Sequence, residues 1–261
     1  MKKKLLFATA ILCSVSLAFA DAVSIGGVYL VYDEDVDDLT SRINEVDGMT
    51  ASGAISFNAS TKTLTLEDAT IECNSDKSVI LFYPNSTLNI VLVGENSFNQ
   101  TNSGYVSCVR SAQSSVLNIS GSGSLTITSV QWYPIATDAS CSIVIDNTTV
   151  DLHSTGYGDY GINNNSQTFG DVEIIKSTVR AGSISRVHSV TLTDCRIASP
   201  DDAEVTESGI SRANVFIVPV YPTGINEVQD NKKQGMKVLR DDAVYILRDG
   251  KEYNVKGERV R

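Results

Sequence analysis

The chain has 261 residues, 42% of them hydrophobic, 20% charged and 7% aromatic, so it can bury a core and is neither disordered nor fibrous. Its formal charge of -10 is unevenly spread: residues 1–20 carry three lysines and no acid, residues 21–224 carry 24 acids against 9 Lys and Arg, and residues 225–261 carry 7 against 9. An acidic body repels polyphosphates, which argues against nucleic-acid binding, and it repels a bare acidic polysaccharide unless a cation lies between.

Met1-Lys2-Lys3-Lys4 is a basic opening, Leu5 to Leu17 an apolar run, and Ala18-Phe19-Ala20 a small-x-small cleavage site. Together they predict a signal peptide over 1–20, a mature chain from Asp21 and a secreted or cell-surface protein, with the periplasm as the alternative. A lipoprotein reading through Cys13 fails, because Ile11-Leu12 stand where small residues are wanted. No later stretch approaches the ~20 apolar residues of a membrane span, so no transmembrane segment is expected. Cleavage leaves Cys73, Cys108, Cys141 and Cys195. They allow three disulfide pairings or, equally, serve as small buried residues in core stacks; without a C-x-x-C spacing they do not read as a zinc or thioredoxin-like site.

Residues 21–50 combine a strand, Val28-Tyr29-Leu30-Val31, with Val36, Leu39, Ile43 and Val46 at helical spacing. This segment is expected to cap the open end of a repeat body, where a bare sheet edge would otherwise be exposed.

From residue 51 to 224 the chain repeats. Apolar-x-apolar, four residues, apolar recurs at Leu64/Leu66/Ile71, Ile143/Ile145/Val150, Val172/Ile174/Val179 and Val190/Leu192/Ile197, with looser copies at Leu88/Ile90/Phe98 and Leu117/Ile119/Leu125. The starts are separated by 24, 29, 26, 29 and 18 residues. Each copy alternates apolar with polar, and Gly, Asn, Ser and Asp fill the gaps where turns need positive φ. Short strands recurring every ~25 residues predict an all-β chain forming a right-handed parallel β-helix of about seven coils, each rung adding ~4.8 Å. Tyr105-x-Ser107, Tyr133-x-Ile135 and Tyr160-x-Ile162 suggest a further face.

Residues 225–261 read as a polar linker, Gln229 to Gly235, followed by a small β module. Its three short strands are Lys237-Val238-Leu239, Val244 to Leu247 and Glu252 to Val255, with a hairpin signal at Asp249-Gly250.

Gly53 to Ile71, containing Thr63-Leu64-Thr65-Leu66, resembles the opening rung of a bacterial β-helix family of carbohydrate-binding domain proteins, and Gly123-Ser124-Leu125-Thr126-Ile127-Thr128 resembles its repeated rungs. The resemblance covers roughly residues 24 to 215. It implies a fold related to pectate lyases, with calcium-mediated binding of pectin-type polyuronate in some members. Val238-Leu239-Arg240-Asp241 and the stretch from Val244 to Val260 resemble C-terminal tails of secreted bacterial proteins. That resemblance implies sorting through outer-membrane export or surface-attachment machinery.

His153 and His188 fall on different coils with no obvious nucleophile beside them, which argues against a Ser-His-Asp system. Aligning the short turns stacks Asn147, Lys176 and Asp194. A lysine there could act as a base in β-elimination on a uronate; the plainer reading is left-handed turn residues plus an exposed ion pair. In the acidic run Asp33-Glu34-Asp35-Val36-Asp37-Asp38, Asp33, Asp35 and Asp37 are the candidate calcium ligands. The run does not fit an EF-hand, since Asp38 stands where Gly is needed, and the plainer reading is an acidic start to a helix. Asp151, Asp171 and Glu173 are further carboxylates, with Arg180 expected to neutralise Asp151.

Trp132, Tyr133, Tyr157 and Tyr160 are the candidate sugar-binding residues, since aromatic rings stack on pyranose faces. The competing reading places Tyr133 and Tyr160 in an internal ladder, with Trp132 over a core edge. The sequence therefore points to a carbohydrate-binding β-helix without a catalytic set, with acidic glycans bridged by calcium as its sharper form. The alternatives are a structural or adhesive surface protein and, further off, a polysaccharide lyase.

Overall fold

The computed structural model describes residues 22–137, 140–156, 158, 160–164, 170–220, 236–240, 243–248, 251–254 and 259–260. The chain divides into two compact units, Met1–Val220 and Tyr221–Arg261.

Alternating apolar residues make the first unit a three-faced parallel β-solenoid. On the first face the strand Thr63–Cys73 is followed level by level by Thr87–Val93, Val116–Gly121, Ser142–Asp146, Asp171–Ile175 and Ser189–Thr193. The second half of Thr63–Cys73 opens the next face, continued in parallel by Glu95–Gln100, Ser124–Ser129, Thr149–Ser154 and Thr178–Ala181. The third face stacks Ile80–Phe82, Val109–Arg110, Ile135–Thr137, Ile162–Asn164 and Ile184–Ser185.

Inward side chains form columns such as Leu64, Ile90, Ile119, Ile145 and Ile174, all at most 1% exposed. Each such side chain contributes about 1.5–3 kcal/mol by leaving water. The corner between the first two faces needs a left-handed residue at almost every level. Asp68, Gly94, Asn147, Lys176 and Asp194 supply it, with φ between 45° and 67°. At Gly94 a Cβ would lie 1.9 Å from Asp68 Oδ1, the carboxylate oxygen that accepts a hydrogen bond from Glu95 N at 3.0 Å.

Five strands on the third face bound about four full turns, fewer than the seven expected from length divided by period. The difference lies at the ends. Met49–Asn58 returns antiparallel against Thr63–Cys73, while Val215–Pro219 runs antiparallel to both Thr178–Ala181 and Cys195–Ser199. A hairpin of Ala22–Ile25 and Val28–Val31 pairs antiparallel with Ile80–Phe82 and covers the first edge of the third face. The helix Leu39–Asn44 buries Leu39 and Ile43, and its N-cap Asp38 accepts from Ser41 N at 3.0 Å.

Three expected alignments are shifted, each by two residues. Ile90 rather than Leu88 lies beside Leu64, and Ile127 rather than Leu125 lies beside Phe98. Val109 faces Ile135, so Ser107 rather than Tyr105 shares a level position with Tyr133. The inward position beside Leu125 is held by Asn96.

The four described cysteines are free, and Cys73, Cys108 and Cys141 are buried. Each of three stands where a hydroxyl or amide stacks at the neighbouring level: Cys141 over Ser115, whose Oγ lies 3.4 Å from its Sγ, Cys195 over Ser177 and Cys73 beside Gln100. Burial pushes the Cys108 thiol well above its ordinary value, with nearby Cys73 adding to the shift.

The second unit is an antiparallel meander of Met236–Arg240, Ala243–Arg248 and Lys251–Tyr253, which matches the small C-terminal β module. The linker, the signal segment and Asp249-Gly250 lie outside the described residues, as do Tyr157 and Asp159. Among the described residues no helix is long and apolar enough to cross a membrane.

Candidate functional site

The candidate site lies on the third face, beside the N-terminal hairpin. Val109 points inward and is 1% exposed, so strand alternation sends Arg110 outward, level with Leu81 and Ala136. Below it the loop from the second face to the third carries Asp76 and Lys77. Buried Gln100 fixes that loop: its Nε2 donates to the Lys77 carbonyl and its Oε1 accepts from Asn102 N at 2.9 Å. The Cys73 thiol donates to the same carbonyl at 3.1 Å. Asn102 in turn holds the next loop, accepting from Gly104 N at 2.7 Å, and that loop presents Tyr105 to solvent at 71% exposure.

Tyr105 meets Trp132 edge-on, with ring centroids 5.3 Å apart. Trp132 is itself anchored through its backbone, its carbonyl accepting from Ser129 Oγ at 2.9 Å. The contact continues through Tyr133 at 4.7 Å and from there to Tyr160 at 4.8 Å. Tyr133 is buried, and burial pushes its phenol up, with Tyr160 adding and a hydrogen bond to Arg186 opposing.

The four aromatic candidates therefore separate. Tyr133 and Tyr160 form the inner part of the file, Trp132 is half-buried at its outer end, and Tyr157 lies outside the described residues. Tyr105, which its spacing places in the same further face as Tyr133 and Tyr160, completes the exposed aromatic edge. The signal that could have found it is Asn102-Ser103-Gly104 just before it, a turn that projects a side chain outward.

Trp132 and Tyr105 border a cleft of about 490 Å³ that also takes in Asp76, Lys77, Arg110 and Ser107. That volume falls within the roughly 300–1,000 Å³ of small-molecule sites. Ser107 is 2% exposed, and its hydroxyl has no hydrogen-bond partner. Among the described residues, neither the Lys77 ammonium nor the Arg110 guanidinium has an ion-pair partner.

The other clusters hold themselves together. Lys176 Nζ lies 3.7 Å from Asp194 Oδ2, both more than half exposed, in the left-handed corner column. Lys176→Asn is expected to leave stability unchanged or raise it by up to about 1 kcal/mol. The exposed pair contributes little, whereas Asn tolerates the corner's positive φ better than Lys. Thermal unfolding reads this, and a loss above about 1 kcal/mol would show that the ion pair holds the corner.

Asp151 is bracketed by Arg180 at 3.6 Å and His153 at 3.3 Å. Ser189 and His188 both contact Asp171 Oδ1, at 2.6 and 2.9 Å, and hold its carboxyl below the ordinary value. Ser189 thus bonds to the carboxylate rather than to the imidazole, so these three residues do not form a serine–histidine–aspartate relay. In the acidic run, Asp35 accepts from Ala59 N at 2.7 Å and from Asn58 Nδ2 at 3.3 Å, tying the cap to the first hairpin. Among the described residues no group of three or more His, Cys, Asp or Glu side chains could hold a metal ion.

Fold and cleft together define a β-solenoid with an aromatic-edged surface site. No family model, curated protein or solved structure matches the chain.

Proposed function

We propose that this is a secreted or cell-surface carbohydrate-binding β-solenoid whose sugar site is the cleft bordered by Tyr105 and Trp132. The observation that carries the reading is the exposed aromatic edge beside a cleft holding both charged and hydroxyl groups. A pyranose presents an apolar face to an aromatic ring and hydroxyls to polar neighbours, and the cleft offers both partners. An oligosaccharide panel titrated against the full mature chain tests it. Saturable binding that depends on Trp132 supports the reading, whereas silence on every glycan favours a structural or adhesive role.

Calcium enters this reading for acidic chains laid along the outer carboxylates: Asp33, Asp35 and Asp37 do not converge on an ion by themselves, and they would share it with the carboxylates of the glycan. Calorimetric titration of the full chain with calcium reads it, and absence of heat at millimolar calcium removes it.

The tail unit serves export or surface attachment through bacterial outer-membrane machinery. Deleting residues 225–261 is expected to leave the solenoid's circular dichroism and melting unchanged while altering where the protein accumulates. Lowered melting of the truncated chain would instead make the tail a structural cap.

A further inference from the structure

Building on the carbohydrate reading, we propose that the cleft recognises a sugar bearing an anionic substituent, a carboxylate or a sulfate, through Lys77 and Arg110 directly, without a bridging cation. The body as a whole is strongly acidic: residues 21–224 carry 24 acids against 9 Lys and Arg. Two of those few cations line one cleft, and neither is neutralised by an ion pair among the described residues.

Of the seven other cations in residues 21–224, Arg42 and Arg196 are likewise without an ion pair among the described residues but do not line the cleft, Arg186 bonds to Tyr133, and four are engaged. Arg180 lies at Asp151, Arg212 at Asp202 and Lys176 at Asp194, while Lys62 sits over the Tyr32 ring. Asp76 is the one carboxylate among the described residues bordering the cleft, so the lining keeps a net positive charge. The Ser107 hydroxyl, buried and without a partner, is a second polar group in the same wall whose hydrogen-bonding capacity the fold leaves unused.

The loop carrying Lys77 is fixed by Gln100 and Cys73, and Arg110 stands on a strand. The two cationic side chains are therefore mounted on rooted backbone, which limits the ordering cost of binding. A guanidinium donates a pair of parallel hydrogen bonds to a carboxylate or sulfate, and an ammonium adds a point charge. The aromatic edge then takes the apolar face of the same sugar.

The test titrates the full mature chain with three oligosaccharide probes: an oligogalacturonate, its neutral methyl ester, and a sulfated oligosaccharide. Each is measured with chelator and with calcium, for the wild type, Arg110→Gln, Lys77→Gln and Trp132→Ala. The expected result is binding of an acidic probe that survives chelator and weakens about tenfold or more when Arg110 or Lys77 is neutralised. It also weakens with salt, and the methyl ester binds at the level of the Arg110→Gln variant. Which acidic probe binds tighter separates carboxylate from sulfate recognition.

Binding of acidic probes only in the presence of calcium would overturn the direct clamp. So would equal affinity for acidic and neutral probes, both lost in Trp132→Ala; that outcome leaves the carbohydrate reading standing. No binding of any probe overturns both.

Discussion

Phe98→Ala is expected to lower the unfolding free energy by about 3–5 kcal/mol. Phe98 is fully buried and lies on the second face between Ile71 at the level below and Ile127 at the level above. In a solenoid each level is stabilised chiefly by its neighbours, so a void at one level loosens two interfaces. Few residues can move into the space, because the columns on either side are held in register by strand pairing. Urea unfolding followed by circular dichroism reads the effect. A loss below about 1 kcal/mol would mean that the ring does not bridge the two levels.

Trp132→Ala is expected to weaken glycan binding by about 2 kcal/mol, roughly thirtyfold in Kd, while changing stability by only about 1 kcal/mol. The contrast follows from where the indole sits. Half-buried, it contributes part of its area to the aromatic file and keeps the rest for a ligand. Tyr105→Ala is the companion variant. Its ring is mostly exposed and touches Trp132 alone among the described aromatic contacts, so a binding loss with unchanged melting assigns it to the site. Equal losses of stability and binding in Trp132→Ala would instead make the indole a structural lid.

The solenoid was legible because inward positions recur with period two and the corners demand left-handed residues, which Asp68, Asn147 and Asp194 advertise. Register was less legible, for a physical reason. A slip of one residue turns every side chain to the wrong face, but a slip of two leaves each on its own face. Apolar alternation therefore cannot tell Leu88 from Ile90 as the neighbour of Leu64, and all three shifts are of this kind.

Asn96 explains one of them. It occupies an inward place beside Leu125, accepting from Ala69 N at 2.9 Å and donating to the Val93 and Ser124 carbonyls at 3.1 and 3.2 Å. A hydrophobic pattern search skips such a residue, although its hydrogen bonds make it as much a part of the stack as a leucine. The turn count missed because Met49–Asn58 and Val215–Pro219 alternate like rungs yet pair antiparallel, and strand direction leaves no mark on alternation.

The site was half legible. Trp132 stood out as the chain's single tryptophan. Its partners Lys77 and Arg110 come from a loop and a strand at different levels, and only the fold brings them to one cleft. The overall negative charge suggested that any acidic glycan must be bridged by a cation. Local placement of two unpaired cations now points the other way for this one surface.

Because Trp132 is the only tryptophan, its emission reports on the cleft alone. Titrating the full mature chain with oligosaccharides while following that emission tests the assignment of the sugar site most directly. A saturable shift whose midpoint matches the calorimetric Kd is the predicted result. Glycan binding that saturates with the Trp132 emission unchanged, or no binding by any glycan, would contradict it.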